Sequence, residues 1–211
     1  MSDLLKVKVG GSSYLCKWTD PRYVEIGGRD YTIVKIGNQL WTGENLDYKF
    51  TKTDSNSSWL YYDNDETTYG WTGRKCGLLY NWYAAKDLND NRNTLLPSGW
   101  RVPSQSDWDA LLTEVGGSST AGGKLKATNV SWASSWNGTD NHKFKALPAG
   151  TFSNIYGPTF SGIGTNTQFW TTGQNGNDGY YYKMQNNSSA VSTSNNYKTS
   201  HYSLRLVKDV V

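Results

Sequence analysis

Cysteine and histidine are scarce, with two of each in 211 residues, and that scarcity removes whole classes of chemistry. Cys16 and Cys76 lack the spacing of a metal site and their separation cannot establish a disulfide, so both are expected to be ordinary free thiols. His142 and His201 share no metal-binding spacing with either of them. The patterns Gly-x-Ser-x-Gly and His-Glu-x-x-His are also missing, so the expectation is a protein that is not an enzyme. Apolar residues make up only 36%, and no run approaches the length of a membrane span, which argues against membrane insertion. The segment Met1–Val7 shows no basic region followed by an apolar one, so no signal peptide is expected and the chain should be made in the cytoplasm. A net charge of +3, from 21 basic and 18 acidic residues with no Lys/Arg stripe, gives no reason to expect nucleic acid.

Aromatic residues are abundant instead. The 10 Trp, 15 Tyr and 5 Phe bury more area per residue than aliphatics and bring polar handles, so an aromatic, hydrogen-bonded core is expected. The length suits one large domain. Near its end, the 28 residues from Asn175 to Tyr202 hold 6 Asn, 5 Ser, 5 Tyr and 2 Thr between the apolar clamps Phe169-Trp170 and Leu204–Val207. Polar tracts of this kind are usually disordered. Here the clamps imply a braced scaffold, and Tyr, Ser, Gly and Asn are the residues that antibody paratopes favour. Composition leaves two readings open, a binding face and a solvated edge strand.

Along the chain, Leu4–Val9 and Tyr14–Trp18 read as a hairpin about Gly10-Gly11, and Asp20-Pro21 breaks it. Residues 1–21 are taken as a separate N-terminal segment and 22–211 as the main domain. The runs Tyr23–Ile26, Tyr31–Ile36 and Gln39–Trp41, separated at Gly27-Gly28 and Gly37-Asn38, predict three antiparallel strands. Asp47–Lys75 has no period and reads as a long loop. Leu79–Lys86 predicts a short helix. A clearer helix starts at Ser104, where Ser104 and Asp107 form a capping box and Trp108, Leu111, Leu112 and Val115 an apolar stripe. Gly117–Leu125 superficially suggests a phosphate-binding loop, but its spacing is wrong and Leu125 replaces the hydroxyl residue, so a flexible loop is expected.

Nine ordered blocks carry a family resemblance: Val34–Trp41, Glu44–Leu46, Leu79–Ala85, Pro97–Pro103, Asp107-Trp108, Gly123–Lys126, Ala146–Gly150, Phe169–Thr171 and Arg205–Asp209. Together they resemble the Fibrobacter succinogenes major paralogous domain family, across roughly Val24 to Asp209. The resemblance implies an α+β, C-type-lectin-like fold, with two helices on small antiparallel sheets and extensive irregular loops. It also touches the variable proteins of diversity-generating retroelements, in which a C-terminal segment of this fold is diversified at Asn codons, as 175–202 would be here. Leu96 and Leu206 stand where family members commonly have cysteines. If those cysteines pair in the family, their joint loss fits a protein that never meets an oxidising compartment. That favours a phage or mobile-element product, in a virion or tail, over a bacterial surface protein. The sugar-binding triplets of C-type lectins are absent, and the acidic cluster Asp63–Glu66 fits a solvated turn better than a Ca²⁺ site, so no cofactor is expected, with Ca²⁺ the one possibility kept.

The expected function is recognition of a protein or glycan receptor on a cell surface by a diversified C-terminal face, with a bacterial adhesin or glycan-binding domain as the alternative. The N-terminal hairpin would join a larger phage or surface assembly. The ligand-binding candidates are Asn175, Asn177, Asp178, Tyr180, Tyr182, Asn186, Asn187, Ser189, Ser192, Ser194, Asn195, Asn196, Tyr197, Lys198, Ser200, His201 and Tyr202. Tyr180, Tyr182 and Met184 share one face of a strand and Tyr181 and Lys183 the other, and the pattern does not say which face looks out. Tyr197, Lys198, His201 and Tyr202 are expected to be exposed, so replacing Asn195, Asn196, Tyr197 and Tyr202 by Ala should spare stability.

Overall fold

Turn glycines and strand pairs carry much of the architecture in the computed structural model, which describes residues 22–210 in full and 4–9 and 12–17 as backbone. Leu4–Val9 (β1) and Ser12–Lys17 (β2) pair antiparallel, as the N-terminal alternation predicts. The turn Gly10-Gly11, the break at Asp20-Pro21 and the thiol of Cys16 lie outside the described residues. Next come Tyr23–Ile26 (β3), Arg29–Ile36 (β4) and Gln39–Thr42 (β5), the three expected strands. Between the first two, Gly27 and Gly28 have φ of 59° and 79°. Two successive positive values are what the tightest hairpin turn requires.

The stretch read as a loop from Asp47 to Lys75 contains only Trp59–Leu60 (β6) and the single turn Glu66–Tyr69 (α1) besides a short 3-10 turn. It is tied down by buried side chains. Tyr80 Oη accepts from Tyr48 N at 2.8 Å and donates to its carbonyl at 2.9 Å, and Asp47 N donates to Tyr31 Oη at 2.9 Å. Asp87 accepts from the backbone N–H groups of Thr53 and Asp54 and from Ser57 Oγ.

Leu79–Asn81 (β7) leads directly into Trp82–Asp90 (α2), capped by Asn81 Oδ1 accepting from Ala84 N at 2.9 Å. The single turn Arg92–Leu95 (α3) follows. Gln105–Glu114 (α4) begins with the expected capping box, Ser104 and Asp107 each bonding the other's backbone N–H, and its whole predicted stripe is buried. Ser118–Leu125 (α5) corrects the expectation of a flexible loop. A Cβ on Gly122 would lie 2.6 Å from Ala190 O, so only glycine lets this turn approach residues 189–190, while Ala121 and Leu125 enter the core. Tertiary contact here overrides a composition that disfavours helix.

The rest is strand: Ala149–Ser153 (β8), Thr159–Ile163 (β9), Asn166–Asn175 (β10), Asp178–Gln185 (β11), Val191–Tyr197 (β12), His201–Tyr202 (β13) and Val207–Asp209 (β14). The larger sheet runs β12-β11-β10-β8-β13-β7-β6 with β9 paired to β8, and the smaller runs β14-β5-β4-β3. This is an α+β arrangement. Two buried clusters hold it, one built on Tyr80, Trp82, Trp100 and Trp170, the other on Trp41, Trp108, Phe144 and Phe169. Leu96 and Leu206 both belong to the first. Between sheets and loops lies Arg205, fully buried, whose Nε donates to Asn45 Oδ1 (2.8 Å), Nη1 to Thr42 O and Phe144 O (2.7 Å each) and Nη2 to Lys145 O (3.1 Å).

Candidate functional site

The polar tract folds into the β11–β12 hairpin and the short strand β13, and the pleat sorts its side chains. Opposed residues in the register share a face, so Phe169, Tyr182 and Thr193 line up on one side, and Trp170, Tyr181 and Ser194 on the other. The first side meets the helices. Tyr182 stacks on Trp108 with centroids 5.0 Å apart and planes at 14°, and its hydroxyl donates to Asp109 Oδ1 at 2.6 Å. Burial, then that carboxylate, holds the Tyr182 phenol well above its ordinary pKa. Met184 and Val191 are buried on the same side.

The opposite side is covered at Trp170, half-covered at Tyr181 and exposed at Ser192 and Ser194. Tyr181, half-buried, stands edge-on to Trp170 (6.0 Å) and Tyr202 (5.0 Å), while Lys183, Ser192 and Ser194 surround it in the register. Asn196 Nδ2 donates to Tyr202 Oη at 2.6 Å, fixing the ring beneath. Tyr181 is thus a supported ring beside short polar side chains, suited to contact area with adaptable hydrogen bonds.

Both ends of the hairpin are anchored. At the open end, beside the β10–β11 turn, Trp82 Nε1 donates to Thr171 O (3.0 Å) and Gly173 O (3.1 Å), and the ring lies against Gly179, where an added Cβ would be 2.2 Å from Cδ1. Lys198 Nζ sits 4.6 Å from the Trp82 ring and donates to Gly176 O and Gln174 Oε1. At the other end buried Lys126 donates to Gln185 O (3.0 Å), Ser188 O (2.7 Å) and Asn137 Oδ1. Burial pulls its pKa down to about 8, which leaves the ammonium charged at neutral pH.

Among the candidates, Asn175, Asn177, Asn187, Ser189, Ser192, Ser194 and Tyr197 are exposed, and Asp178, Tyr180, Asn186, Asn195, Asn196 and Lys198 are partly so. Tyr182, Ser200, His201 and Tyr202 are buried, which corrects the expected exposure of His201 and Tyr202 and leaves Tyr182 facing the core. The four-residue Ala replacement containing Tyr202 would therefore strip a core ring as well as surface groups. Tyr181, Lys183 and Thr193 belong to the accessible hairpin surface and were missing from the candidates. The alternation of the tyrosine run offered the signal for Tyr181 but carried no sign.

The other motifs resolve into structure. Asp65 caps α1 through Thr68 N at 2.9 Å, and Glu66 accepts from Lys49 Nζ and Tyr61 Oη, so two of the three carboxylates of the acidic cluster make bonds within the fold. The Cys76 thiol is buried and pushed up to about 12 by that burial.

His201 sits in β13 between Asn81 and Phe152, its Nε2 2.8 Å from Ser58 Oγ and its Nδ1 without a hydrogen-bond partner. Burial lowers its pKa from 6.5 to about 4. The unfolded chain therefore binds the proton more readily between those values, so stability is full above pH 6.5 and falls on acidification toward pH 4. The loss amounts to about 3 kcal/mol. Urea titrations at a series of pH values should show this fall, and His201→Gln should flatten it; an unchanged slope in that variant would assign it elsewhere.

A protein of this build is an α+β scaffold that presents one polar, aromatic-centred hairpin face. The chain belongs to the Fibrobacter succinogenes major domain family, whose model matches residues 34–208. Neither the curated proteins nor the solved structures searched give a match.

Proposed function

We propose that the domain is a C-type-lectin-like recognition module without catalytic activity, and that the β11–β12 face around Tyr181 binds a protein or glycan receptor on a cell surface. The observation that carries this is the division of labour along the tract. Tyr182 and Gly179 lock the hairpin to Trp108 and Trp82, while Ser192, Ser194, Asn177 and Tyr197 are exposed and Tyr181 is half-buried against Trp170. Rigid display lowers the ordering cost of binding. The Asn/Ser/Tyr content of the tract supports a diversified binder of phage or mobile-element origin, functioning without metal and held in a larger assembly through its N-terminal hairpin.

Replacing Tyr181, Ser192 and Ser194 together by Ala is expected to remove binding to a panel of whole bacterial cells and to arrayed glycans, with the melting temperature changed by no more than about 4 °C. Retained binding by the folded variant would sink the proposal. A neighbouring reverse transcriptase, with a near-copy of the DNA encoding Phe169 to Lys208 that differs only at adenines, supports the retroelement reading. Its absence favours the adhesin.

A further inference from the structure

Lys75, Asp140 and Lys145 line one cavity of about 360 Å³, far from the tract in sequence, with Glu44, Ala127 and Leu147 completing its walls. All three have a left-handed backbone, with φ of 56°, 46° and 51°. That conformation is strained for a residue with a Cβ, and such strain collects at ligand sites. Glycine would relieve it at Lys75 and Lys145, so the turns themselves give no reason for lysine there.

Two opposite charges in the cavity are unspent. Asp140 is only 7% exposed, and its Oδ1 accepts from Lys145 N at 2.9 Å. Among the described residues no other hydrogen bond reaches this carboxylate, which leaves Oδ2 free. Lys75 Nζ lies 5.8 Å from the Trp71 ring and forms no ion pair among the described residues. A second pair of charges is held loosely. Glu44 is fixed by Thr32, whose N–H and Oγ1 donate to it at 2.9 and 2.7 Å, but Lys145 Nζ stands 3.6 Å from Glu44 Oε1 and is partly exposed. Such a contact is weak and easily exchanged. Arg205 lies behind both carboxylates without occupying them, since its N–H groups donate to Asn45 Oδ1 and to the carbonyls of Thr42, Phe144 and Lys145.

We propose that this cavity binds a small zwitterion, a free α-amino acid with an apolar side chain. Its ammonium group meets Asp140 and Glu44, its carboxylate meets Lys75 and Lys145, and its side chain lies on Ala127 and Leu147. The charge pattern selects this class. A lone anion would face two carboxylates, a lone cation would face two ammonium groups with Arg205 behind, and an uncharged molecule would strip water from four charges without pairing them. A zwitterion exchanges the long Glu44–Lys145 contact for closer ones, pairs Asp140 and Lys75 as well, and adds no net charge. The volume lies in the range of small-molecule sites, about 300–1,000 Å³. None of these residues belongs to the segment 175–202, so the site is independent of receptor recognition by the Tyr181 face.

Titrating the full chain with L-leucine, followed by amide NMR shifts, should move Thr128, Asp140 and Lys145 with a dissociation constant of about 1 mM. Isoamylamine and 4-methylpentanoate carry the same side chain with one charge each, and both should bind at least about tenfold more weakly. Lys75→Met removes an exposed ammonium group and keeps a Cβ, so it should melt with the wild type yet bind leucine at least about fivefold more weakly, while Lys75→Arg should retain binding. Asp140→Asn keeps an acceptor for Lys145 N and should lose the ammonium contact, with its melting temperature read alongside. No shift at about 20 mM leucine overturns the proposal. So does either single-charge analogue binding as tightly as leucine, or a folded Lys75→Met whose affinity is unchanged.

Discussion

Arg205→Ala is expected to lower the unfolding free energy by about 3–5 kcal/mol, enough to leave a domain of ordinary stability largely unfolded in mild denaturant. The guanidinium is fully buried, and its hydrogen bonds join the C-terminal strand region to the loop after β5 and to residues 144–145. It also lies 4.5 Å from the Phe144 ring. Truncation leaves the Thr42 and Phe144 carbonyls without this donor, and each orphaned buried acceptor costs about 1–3 kcal/mol before any cavity is counted. Arg205→Lys keeps the charge but loses the planar fork, so an intermediate loss is expected. Urea denaturation checks both, and a midpoint for Arg205→Ala within error of the wild type would refute the assignment of this side chain as the internal tie.

Trp108→Ala should cost a similar amount, about 3–5 kcal/mol, for a different reason. The ring is fully buried and touches Trp41, Phe144, Phe169 and Tyr182, with centroids 5.2, 5.9, 5.4 and 5.0 Å away. Its Nε1 has no hydrogen-bond partner, so the loss is one of packing and cavity. Trp108→Phe should recover much of it. Because Tyr182 rests on this ring, the effect should reach the hairpin, and amide protection in Asp178–Gln185 should drop in Trp108→Ala more than in Tyr23–Ile26. Equal loss in both strands would mean that α4 supports the fold as a whole and not the hairpin in particular.

Much of the fold was legible where the signal is local. The Gly-Gly turn before β4, the three strands it helps to join, and the Ser104–Asp107 box with its stripe are all set within a few residues. Sequence reading failed where a residue's state depends on a distant neighbour. Gly122 and Gly123 looked like breakers, yet they serve a helix because residues 189–190 come against them. His201 and Tyr202 looked like loop residues, yet a two-residue strand is buried by Asn81, Tyr80 and Phe152, far away in sequence. The same holds within the site. A period of two shows that Tyr181 and Tyr182 differ in environment, but only Trp108 on one side and the partly open edge of the Trp170–Tyr202 cluster on the other decide which is which.

The pleat of β11 also limits how many versions of this surface can exist. Any process that rewrites residues 175–202 meets positions it cannot change freely: Gly179 beneath Trp82, Tyr182 on Trp108, Met184, Val191 and Tyr202 in the core. Changes there produce unfolded copies rather than new specificities. Under the proposed diversification, the usable repertoire would be set by the accessible positions, and it would grow with the number that escape the core, not with the length of the tract.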